Sequence, residues 1–596
     1  MSDQNSTLIG RVKSITGSKV SIQLDSKIKS IMPIVDGVLY RVGQIGSFIK
    51  ISLGYTKLYG IVNQIGADAL PESLRELVMN ENNDARFTTR WISAVLIGET
   101  FIDKFERGVT QFPNVEDEVH IVTLEDLNLI YGGMTEDQSI CVGNISVSES
   151  LPARVDINKL LTRHCALVGS TGSGKSNSVS VILSAIAKKN EYKSARVFVI
   201  DPHGEYNSSL KDDNQVFRIN ADVSKNEKEL YIPFWALPFD ELMKIFSGRV
   251  SDQQRDYIRE KILELKLGSI THINPVPNQA AITADSPIPF SIKKLWFDLD
   301  DFERQTYTDM ARSIQSNLVQ TGNANELRSN IYQPASTTNT APYLNNRAKG
   351  ILNFLDSMRN RLVDNRYRFL FSPGEYEPTH LGEIVRDLNQ LLSEWLGSNK
   401  KIAILDLSGV PTEIMASVSG AILKIIFDSL FWAQNLSVGG RKQPLLIVLE
   451  EAHNYLKTGV DSISSRTVQA IAKEGRKYGL GLLLVTQRPT ELDETVLSQC
   501  GTVIALRMYN SSDRSHIASA LQDDLNNITD LLPSLRTGEA LIIGEAVKIP
   551  SRAKFFKMSE SPKSSDPKVN EEWKKDQPDV TEYSRAVEYW RDQRFN

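Results

Sequence analysis

Short runs with apolar residues at alternate positions fill roughly the first 145 residues of the chain. The runs are rich in β-branched and aromatic residues, and Gly, Asn or Pro interrupts them. They lie at residues 9–24, 43–66, 90–98 and 117–122. This alternation is typical of strands with one buried face, and several short strands of this kind favour a small closed barrel. The sequence therefore predicts an N-terminal β-barrel within residues 1–150.

From about residue 155 the pattern changes to uninterrupted apolar runs that alternate with helical stretches. Apolar runs of four to eight residues predict strands that are buried on both faces of a parallel sheet. They lie at residues 164–169, 195–200, 401–407, 445–450, 479–487 and 501–506. A helix containing Met415, Val418, Ile422, Ile425 and Ile426 at helical spacing should face that sheet. The alternation predicts an α/β domain built from residues 151–224 and 400–557.

Two further stretches depart from this alternation. Residues 225–399 interrupt it, and segments such as 256–267 and 347–362 have helical spacing, with a loose loop near residues 333–342. We interpret this part as a helical insertion carried on the α/β domain. After residue 557 the chain becomes polar until a final apolar segment at residues 583–590. Residues 558–596 are thus predicted to be a polar C-terminal arm with a short docking helix.

Composition and charge exclude several classes of protein. The 596 residues are 41% hydrophobic and 24% charged, which is typical of a globular protein and excludes a disordered or fibrous one. No apolar run approaches the roughly 18 residues of a membrane span, and the N-terminus lacks the pattern of a secretory signal. We expect a cytoplasmic protein without a membrane partner. A net charge of −5 excludes a globally basic nucleic-acid binder, but a basic lining inside a ring remains compatible with it.

The segment GSTGSGKS, Gly169 to Ser176, fits the phosphate-binding pattern G-x-x-x-x-G-K-[ST]. Glycines let successive backbone N–H groups converge on phosphate oxygens, and the following helix presents its positive N-terminus. Lys175 would contact the β- and γ-phosphates, and Ser176 would ligate Mg²⁺. A structural glycine-rich turn is the alternative, although an apolar strand before and an apolar helix after match the mechanism. The predicted ATP-binding residues are Gly169, Ser170, Thr171, Gly172, Ser173, Gly174, Lys175, Ser176 and Asn177.

Two carboxylates end the apolar run at residues 445–449. Buried acids cost free energy unless a cation or a reacting group meets them, and an ATPase of this kind needs both a metal-binding acid and a water-orienting one. We assign Glu450 to the metal and Glu451 to catalysis. Asp is the usual residue at the first position, and the additional methylene of Glu450 leaves open whether it ligates Mg²⁺ directly. A solvated charge pair at a sheet edge is the alternative.

Polar residues follow two more predicted strands. Asp201, His203 and Glu205 follow the run at 195–200, and Gln487 ends the run at 479–487. Ligands bind at the carboxyl ends of parallel strands, so these side chains could converge on the γ-phosphate. Asp201 is a candidate catalytic residue, and Gln487 could sense the phosphate or be a buried amide bonded to backbone. For His203 a structural hydrogen bond is favoured over catalysis.

Together, the segments RHCALVGSTGSGKSNS, VIDPHGEY, LLIVLEEAHNYL, EGRKYGLGLLLVTQRP and LRTGEALIIGEAVKIP resemble the HerA family of the HerA/FtsK ATPases. The order and spacing match over residues 150–225 and 400–555. The N-terminal β segment looks like the barrel that this family shares with rotary ATP-synthase subunits. The resemblance implies a RecA-like P-loop core and a homohexamer that uses ATP to move double-stranded DNA through its central channel.

The resemblance also implies roles for two arginines and for a partner. Arg476, in KEGRKYG, falls at the position of a trans-acting arginine finger, and Arg163 at that of a second nucleotide-sensing arginine. Without the resemblance, Arg476 would be interpreted as a solvated helix residue. Members of the family work with a separate nuclease or effector in DNA-end processing or anti-phage defence. We expect this partner protein to dock on the barrel end of the chain.

Three other functions stay open at this point. A pumping ATPase of conjugation or secretion shares the core, and a ring that only scaffolds an effector enzyme would keep the same motifs. A rotary ATP-synthase subunit is disfavoured by the paired Glu residues. DNA contacts are not defined by the sequence: Lys457 and Arg466 could touch phosphates or lie on an exposed loop.

Overall fold

A computed structural model describes most of the chain. The described residues are 7–25, 34–35, 38–39, 44–67, 90–146, 148–246, 248–338, 340–456, 459, 462–520, 528–562, 569–575 and 579–592.

The N-terminal strands form a closed barrel, as predicted. They are β1 (Leu8–Thr16), β2 (Lys19–Leu24), β3 (Ile34–Val35), β4 (Val38–Leu39), β5 (Phe48–Leu53), β6 (Thr56–Ala67), β7 (Arg90–Phe101), β8 (Lys104–Arg107) and β9 (Glu118–Ile121). The order β2-β1-β9-β5-β6-β7 is closed by pairing of β2 with β7, and β8 extends the β7 side. Alternate residues such as Val12, Val20 and Ile51 point inward and are fully buried, which is why the alternating pattern identified this fold.

A second sheet of twelve strands forms the centre of the molecule. The remaining strands are β10 (Ser139–Ile145), β11 (Ser148–Asp156), β12 (Cys165–Val168), β13 (Arg196–Asp201), β14 (Asn214–Arg218), β15 (Lys228–Glu229), β16 (Thr306–Tyr307), β17 (Leu318–Gln320), β18 (Ile331–Tyr332), β19 (Tyr343–Leu344), β20 (Ile402–Asp406), β21 (Leu445–Leu449), β22 (Leu480–Thr486), β23 (Thr502–Leu506), β24 (Glu539–Gly544) and β25 (Ser551–Phe555). The large sheet has the order β11-β10-β25-β24-β23-β12-β22-β21-β13-β20-β14-β15.

The strands from β23 to β15 in that order are parallel, and those from β11 to β24 are joined by antiparallel pairing. All six predicted apolar runs are buried strands of the parallel part. The predicted barrel boundary at residue 150 lies too late, because β10 pairs with β25 of the large sheet. Pairing with a strand more than 400 residues away leaves no local signal in the sequence.

Helices cover the large sheet and build most of the insertion. They are α1 (Leu124–Gly132), α2 (Ile157–Thr162), α3 (Lys175–Ala187), α4 (Phe239–Phe246), α5 (Asp252–Ser269), α6 (Ile292–Arg304), α7 (Leu352–Val363), α8 (Arg368–Phe371), α9 (Leu388–Leu396), α10 (Met415–Trp432), α11 (Ile463–Glu474), α12 (Glu494–Ser498), α13 (Ser511–Ala520), α14 (Val569–Glu572) and α15 (Glu582–Asp592).

The predicted core helix is α10, and its apolar side packs in the core of the α/β domain through Val418, Ile422 and Ile426. In the part of the chain that the structure describes, Thr412–Trp432 is the one stretch long and apolar enough for a membrane span, with a mean hydropathy of 1.7. The sequence prediction counted uninterrupted apolar runs and missed this stretch, which includes Lys424 and Asp428. More than half of it is buried inside the protein, as is common for a core helix.

The insertion between β15 and β20 is helical with an additional β-rich part. Its helices surround an aromatic core in which Phe246 stacks on Phe371 and Phe234 packs against Phe290. Between residues 306 and 344 two small antiparallel sheets pair β16 with β19 and β17 with β18. The helical prediction did not include these sheets, because strands of two or three residues are too short to show a period. The C-terminal segment forms α15 as a helix, and none of its residues is buried.

Candidate functional site

The phosphate-binding segment links the end of β12 to the start of α3. Gly172 and Gly174 have φ values of 70° and 102°, in the left-handed region that favours glycine. A Cβ on Gly174 would lie 3.1 Å from the backbone nitrogen of Gly538, so a side chain does not fit there without a shift. The loop therefore keeps its backbone N–H groups close to the N-terminus of α3, as a phosphate cradle requires.

Lys175 and Gln487 both lie beside this loop. The Nζ atom of Lys175 donates to the carbonyl oxygen of Ser170 at 3.4 Å. Burial lowers the pKa of Lys175 below its ordinary value, while the charges of Glu451, Glu450 and Glu205 oppose that shift. Gln487, at the end of β22, accepts a hydrogen bond from the Thr171 hydroxyl at 2.6 Å. The side-chain amide of Gln487, which we predicted to sense the γ-phosphate, thus contacts the loop through the side chain of Thr171.

Glu450 is enclosed at the end of β21. The hydroxyl of Tyr206 donates a hydrogen bond to its Oε2 atom. Burial raises the pKa of Glu450 to about 8, and the charges of Asp201, Glu205 and Glu451 add to that shift against the Tyr206 hydrogen bond. The carboxyl group is therefore mostly protonated at neutral pH unless a cation is bound nearby.

The carboxylate that contacts the P-loop serine is Glu205 instead. The Ser176 hydroxyl donates to Glu205 Oε2 at 2.6 Å. The sequence identified Glu205 only as one of several polar residues after β13 and did not pair it with Ser176. In the sequence, Glu205 is visible as the acidic position of DPHGEY. The direction in which its side chain points is set by the turn that follows β13.

Glu451 has the surroundings of a general base. It lies just after β21 with φ of 49°, a conformation that is uncommon for a residue with a side chain. Nδ1 of His453 lies 3.2 Å from its Oε2 atom and 3.2 Å from the Thr486 hydroxyl. Burial raises the pKa of Glu451, but His453, Lys175 and His203 together bring it below the ordinary value. The side chain is therefore a buried carboxylate at neutral pH, able to accept a proton.

Asp201 positions the neighbouring turn through its carboxylate. Its two carboxylate oxygens accept backbone N–H bonds from His203 at 3.1 Å, Gly204 at 2.9 Å and Tyr206 at 3.2 Å. Burial raises its pKa to about 7 in spite of those bonds. These contacts hold the residues that present Glu205 and Tyr206, and the catalytic role of Asp201 stays a prediction. His203 takes part through its backbone, while its side chain is exposed.

Arg476 and Arg163 lie at the opposite edge of the sheet. We call the edge at the carboxyl ends of β12, β13, β21 and β22 the P-loop edge, and the other the arginine edge. Arg476 lies in the 3₁₀ turn Gly475–Tyr478 before β22, and Arg163 lies just before β12. The seven residues of β22 span about 23 Å at ~3.3 Å per residue.

The two arginines differ in their contacts. Arg476 is exposed, and no hydrogen bond or ion pair of its side chain is found among the described residues. Arg163 is half-buried, and its Nε atom lies 3.5 Å from Oε2 of Glu545. Neither side chain extends to the P-loop of its own chain, so the geometry does not bring them together with the other predicted site residues.

The donor set at the P-loop edge fits a magnesium ion that is shared with a nucleotide. Mg²⁺ in such sites binds one or two protein oxygens, phosphate oxygens and water. Ser176 and Glu205 offer two oxygens in direct contact, and the crowded carboxyl group of Glu450 lies next to them. Within the described residues no group of three or more His, Cys, Asp or Glu side chains forms a metal cage. The surroundings therefore fit an ion held mainly by a nucleotide.

The chain is similar to known proteins in both sequence and structure. The family model for the central domain of helicase HerA matches residues 140–426, and that for the HerA-like C-terminal domain matches residues 381–576. The DNA double-strand break repair helicase HerA of Sulfurisphaera tokodaii is 25% identical over 479 residues, which is 79% of each chain. That of Saccharolobus solfataricus is 27% identical over 455 residues, or 76% of this chain and 74% of the relative.

Similar solved structures include two proteins of 12% sequence identity. VirB4 of Thermoanaerobacter pseudethanolicus has a TM-score of 0.44 and covers 71% of this chain and 98% of its own. Plasmid coupling protein TrwB in complex with an ATP analogue has a TM-score of 0.41 and covers 72% of this chain and 92% of its own. The two family models, which together span residues 140–576, show that the chain belongs to the HerA family, and it is a P-loop enzyme that hydrolyses ATP.

Proposed function

We propose that this chain is one subunit of an ATP-driven motor that moves double-stranded DNA through a ring of six identical subunits. The observation that supports the proposal most is the division of the ATP site between two edges of the sheet. The P-loop and Glu451 lie at one edge, and Arg476 and Arg163 lie at the other. A complete site then needs two chains, and a contact between unlike surfaces closes into a ring when its rotation allows. Relatives named as DNA double-strand break repair helicases suggest the substrate.

In this proposal each residue at the P-loop edge has a separate task. Lys175 exchanges its bond with the Ser170 carbonyl for the β- and γ-phosphates of ATP. Ser176 and one of the two acids Glu205 and Glu450 would hold Mg²⁺, which supplies positive charge for the phosphate oxygens. Because Glu450 already accepts a hydrogen bond from the Tyr206 hydroxyl and Ser176 donates to Glu205, we assign the acid that holds Mg²⁺ with Ser176 to Glu205.

Glu451 and Gln487 act on the reacting end of the nucleotide. Glu451 orients the attacking water and accepts its proton, which requires the ionised form that His453 and Lys175 favour. Gln487 accepts from the Thr171 hydroxyl through Oε1, and on ATP binding its amide NH2 group would donate to a γ-phosphate oxygen instead. Because Gln487 ends β22, this exchange connects the state of the nucleotide to the segment that follows that strand.

A separate nuclease or effector is the proposed partner, docking on the barrel. Three large apolar side chains are exposed together where two barrel hairpins turn: Tyr55 between β5 and β6, Phe101 at the end of β7, and Ile102 between β7 and β8. Thr56 pairs with Phe101, so the two turns are neighbours. An exposed apolar cluster of this kind is typical of a protein contact. We further propose a cytoplasmic protein without a membrane partner, acting in DNA-end processing or anti-phage defence.

The test measures ATP hydrolysis and binding with linear duplex DNA. Turnover should rise with duplex DNA, and binding should weaken steeply with salt and depend little on sequence, because a channel contacts phosphates. Lys175→Ala protein is the control for contaminating ATPase. Hydrolysis that duplex DNA leaves unchanged would instead favour a ring that only scaffolds an effector. A strong preference for one short sequence at fixed salt would count against a translocase.

A further inference from the structure

An exposed apolar patch lies beside Arg476 at the arginine edge. Trp432, at the end of α10, is 81% exposed, and Leu436 and Val438 in the following loop are 59% and 57% exposed. We call these three residues the arginine-edge patch. Large apolar side chains that are exposed together usually mark a contact with another protein.

The arginine-edge patch and Arg476 belong to one tightly packed unit. The ring of Tyr478, two residues after Arg476, packs on Phe431 with centroids 5.1 Å apart, and Phe431 contacts Trp432 at 5.3 Å. A Cβ on Gly479 would lie 1.9 Å from the Gly440 carbonyl oxygen, so the two backbones touch. Whatever docks on the patch is therefore held at a fixed position relative to the backbone at Arg476.

A different apolar pair frames the P-loop at the other edge. The Ser170 N–H donates to the carbonyl of Arg507 at 2.9 Å, and Tyr509, 63% exposed, packs under the Arg507 guanidinium at 5.6 Å. Asn177 donates to the carbonyl of Phe556 at 2.8 Å, and Phe556 is 45% exposed. We call Tyr509 and Phe556 the P-loop patch.

The charges at the two edges are complementary. Arg441, Lys442 and Arg476 are exposed at the arginine edge. Two acids beside them, Glu474 and Glu545, each lie near a Lys or Arg of their own chain, and Glu191 before β13 is a further exposed acid of that edge. At the P-loop edge the carboxylates Glu205 and Glu451 lie close to Lys175, and bound ATP adds several negative charges to that edge, which also carries the Arg507 guanidinium. Opposite potentials favour contact between unlike edges and disfavour contact between like ones.

We propose that the arginine-edge patch of one chain docks on the P-loop patch of a second copy. This inference rests on the proposed ring, and it names the surface that brings Arg476 to the neighbour's nucleotide. A contact between unlike surfaces leaves one of each open at the ends of a dimer, so it continues until a ring closes. Trp432 is the anchor, since buried Trp residues contribute strongly at protein interfaces.

Cysteine cross-linking tests the pairing directly. Leu436→Cys and Tyr509→Cys proteins are mixed, allowed to exchange subunits and treated with a short bismaleimide. The mixture should give a cross-linked dimer that neither protein gives alone, and the double variant should give a ladder up to the size of the ring. The parent chain, which contains Cys141, Cys165 and Cys500, is the background control. A cross-link from Leu436→Cys alone would indicate a two-fold contact and overturn the proposal, as would a ring of full mass without any cross-link.

A second measurement tests the patch by substitution. Trp432→Ser with Leu436→Asp should lower the assembled mass and reduce ATP hydrolysis as far as loss of Arg476 does, while each chain still binds ATP through its P-loop. Val276→Asp, at a 62% exposed position in the insertion, is the matched control and should keep both mass and hydrolysis. Full mass and normal hydrolysis in the patch variant would mean that another occupant, such as the effector or the C-terminal arm, covers the patch.

The two proposals fail in different ways. A ring that cross-links as expected but ignores duplex DNA would overturn the motor and leave the interface in place. A ring that does not cross-link at these positions, but whose ATP hydrolysis is stimulated by duplex DNA, would overturn the proposed interface. The proposal of a DNA motor would still stand.

Discussion

Replacement of Arg476 gives the sharpest test of a divided ATP site. Arg476 precedes β22 at the arginine edge, and the seven residues of that strand alone separate it from the P-loop edge by about 23 Å. An arginine side chain is much shorter than this span, so its target would be the γ-phosphate bound by a neighbouring chain. An arginine supplied in this way contributes ~10³–10⁵ in rate, which corresponds to about 4–7 kcal/mol of transition-state stabilisation.

Arg476→Ala protein should therefore assemble and bind ATP, yet hydrolyse it at least about 10³ times more slowly. The matched control is Lys477→Ala, which removes the next exposed cation, a side chain that lies 3.8 Å from Glu474. That variant should keep nearly normal turnover, because the Lys477 ammonium group lies near Glu474 at the end of α11 in its own chain. The assay is steady-state ATP hydrolysis by rings whose mass has been confirmed by light scattering.

Mixed rings separate action on a neighbour from action within one chain. Lys175→Ala and Arg476→Ala chains are each inactive, but some interfaces of a mixed ring combine an intact P-loop with an intact arginine. These interfaces should recover part of the lost hydrolysis. If no activity returns at any ratio after subunit exchange is confirmed, Arg476 acts within its own chain or every site must be intact. Normal hydrolysis by an Arg476→Ala ring would refute the reasoning outright.

Three further predictions concern single side chains. Glu451→Gln protein should bind ATP normally and hydrolyse it ~10²–10⁴-fold more slowly, because an amide does not accept the proton of the attacking water; nearly normal turnover would remove Glu451 from this role. Lys175→Ala should lose hydrolysis while its melting temperature and assembled mass stay unchanged, since the loss is one of charge on the phosphates; an altered mass would show that Lys175 also supports the fold. Lys266 is buried in α5, where its Nζ donates to the carbonyls of Ala284 and Ser286, and burial lowers its pKa from 10.5 to about 7. The unfolded chain then holds a proton that the folded chain has released, so the free energy of unfolding should rise between about pH 7 and pH 10, by up to ~1.4 kcal/mol per pH unit. Lys266→Met should remove this part of the slope in urea unfolding, and identical slopes in both proteins would contradict it.

Much of the phosphate site is already determined by the sequence, because its parts are local. The residues from Gly169 to Ser176 are consecutive, and an apolar strand before them and an apolar helix after them fix the direction of the loop. Likewise, an uninterrupted apolar run that ends in Glu450 and Glu451 predicts acids at the end of a buried strand. The barrel was predictable for a related reason, since period-two alternation is a property of neighbouring residues.

Only the tertiary structure decided which of these side chains meet. Ser176 contacts Glu205 across 29 residues, and Tyr206 contacts Glu450 across 244. Such pairs depend on the order of strands in the sheet, which carries no periodic signal in the chain. The same order turned Asp201 toward its own turn and brought β10 into the large sheet. It also separated Arg476 from its own P-loop, because two parallel strands start at one edge and end at the other.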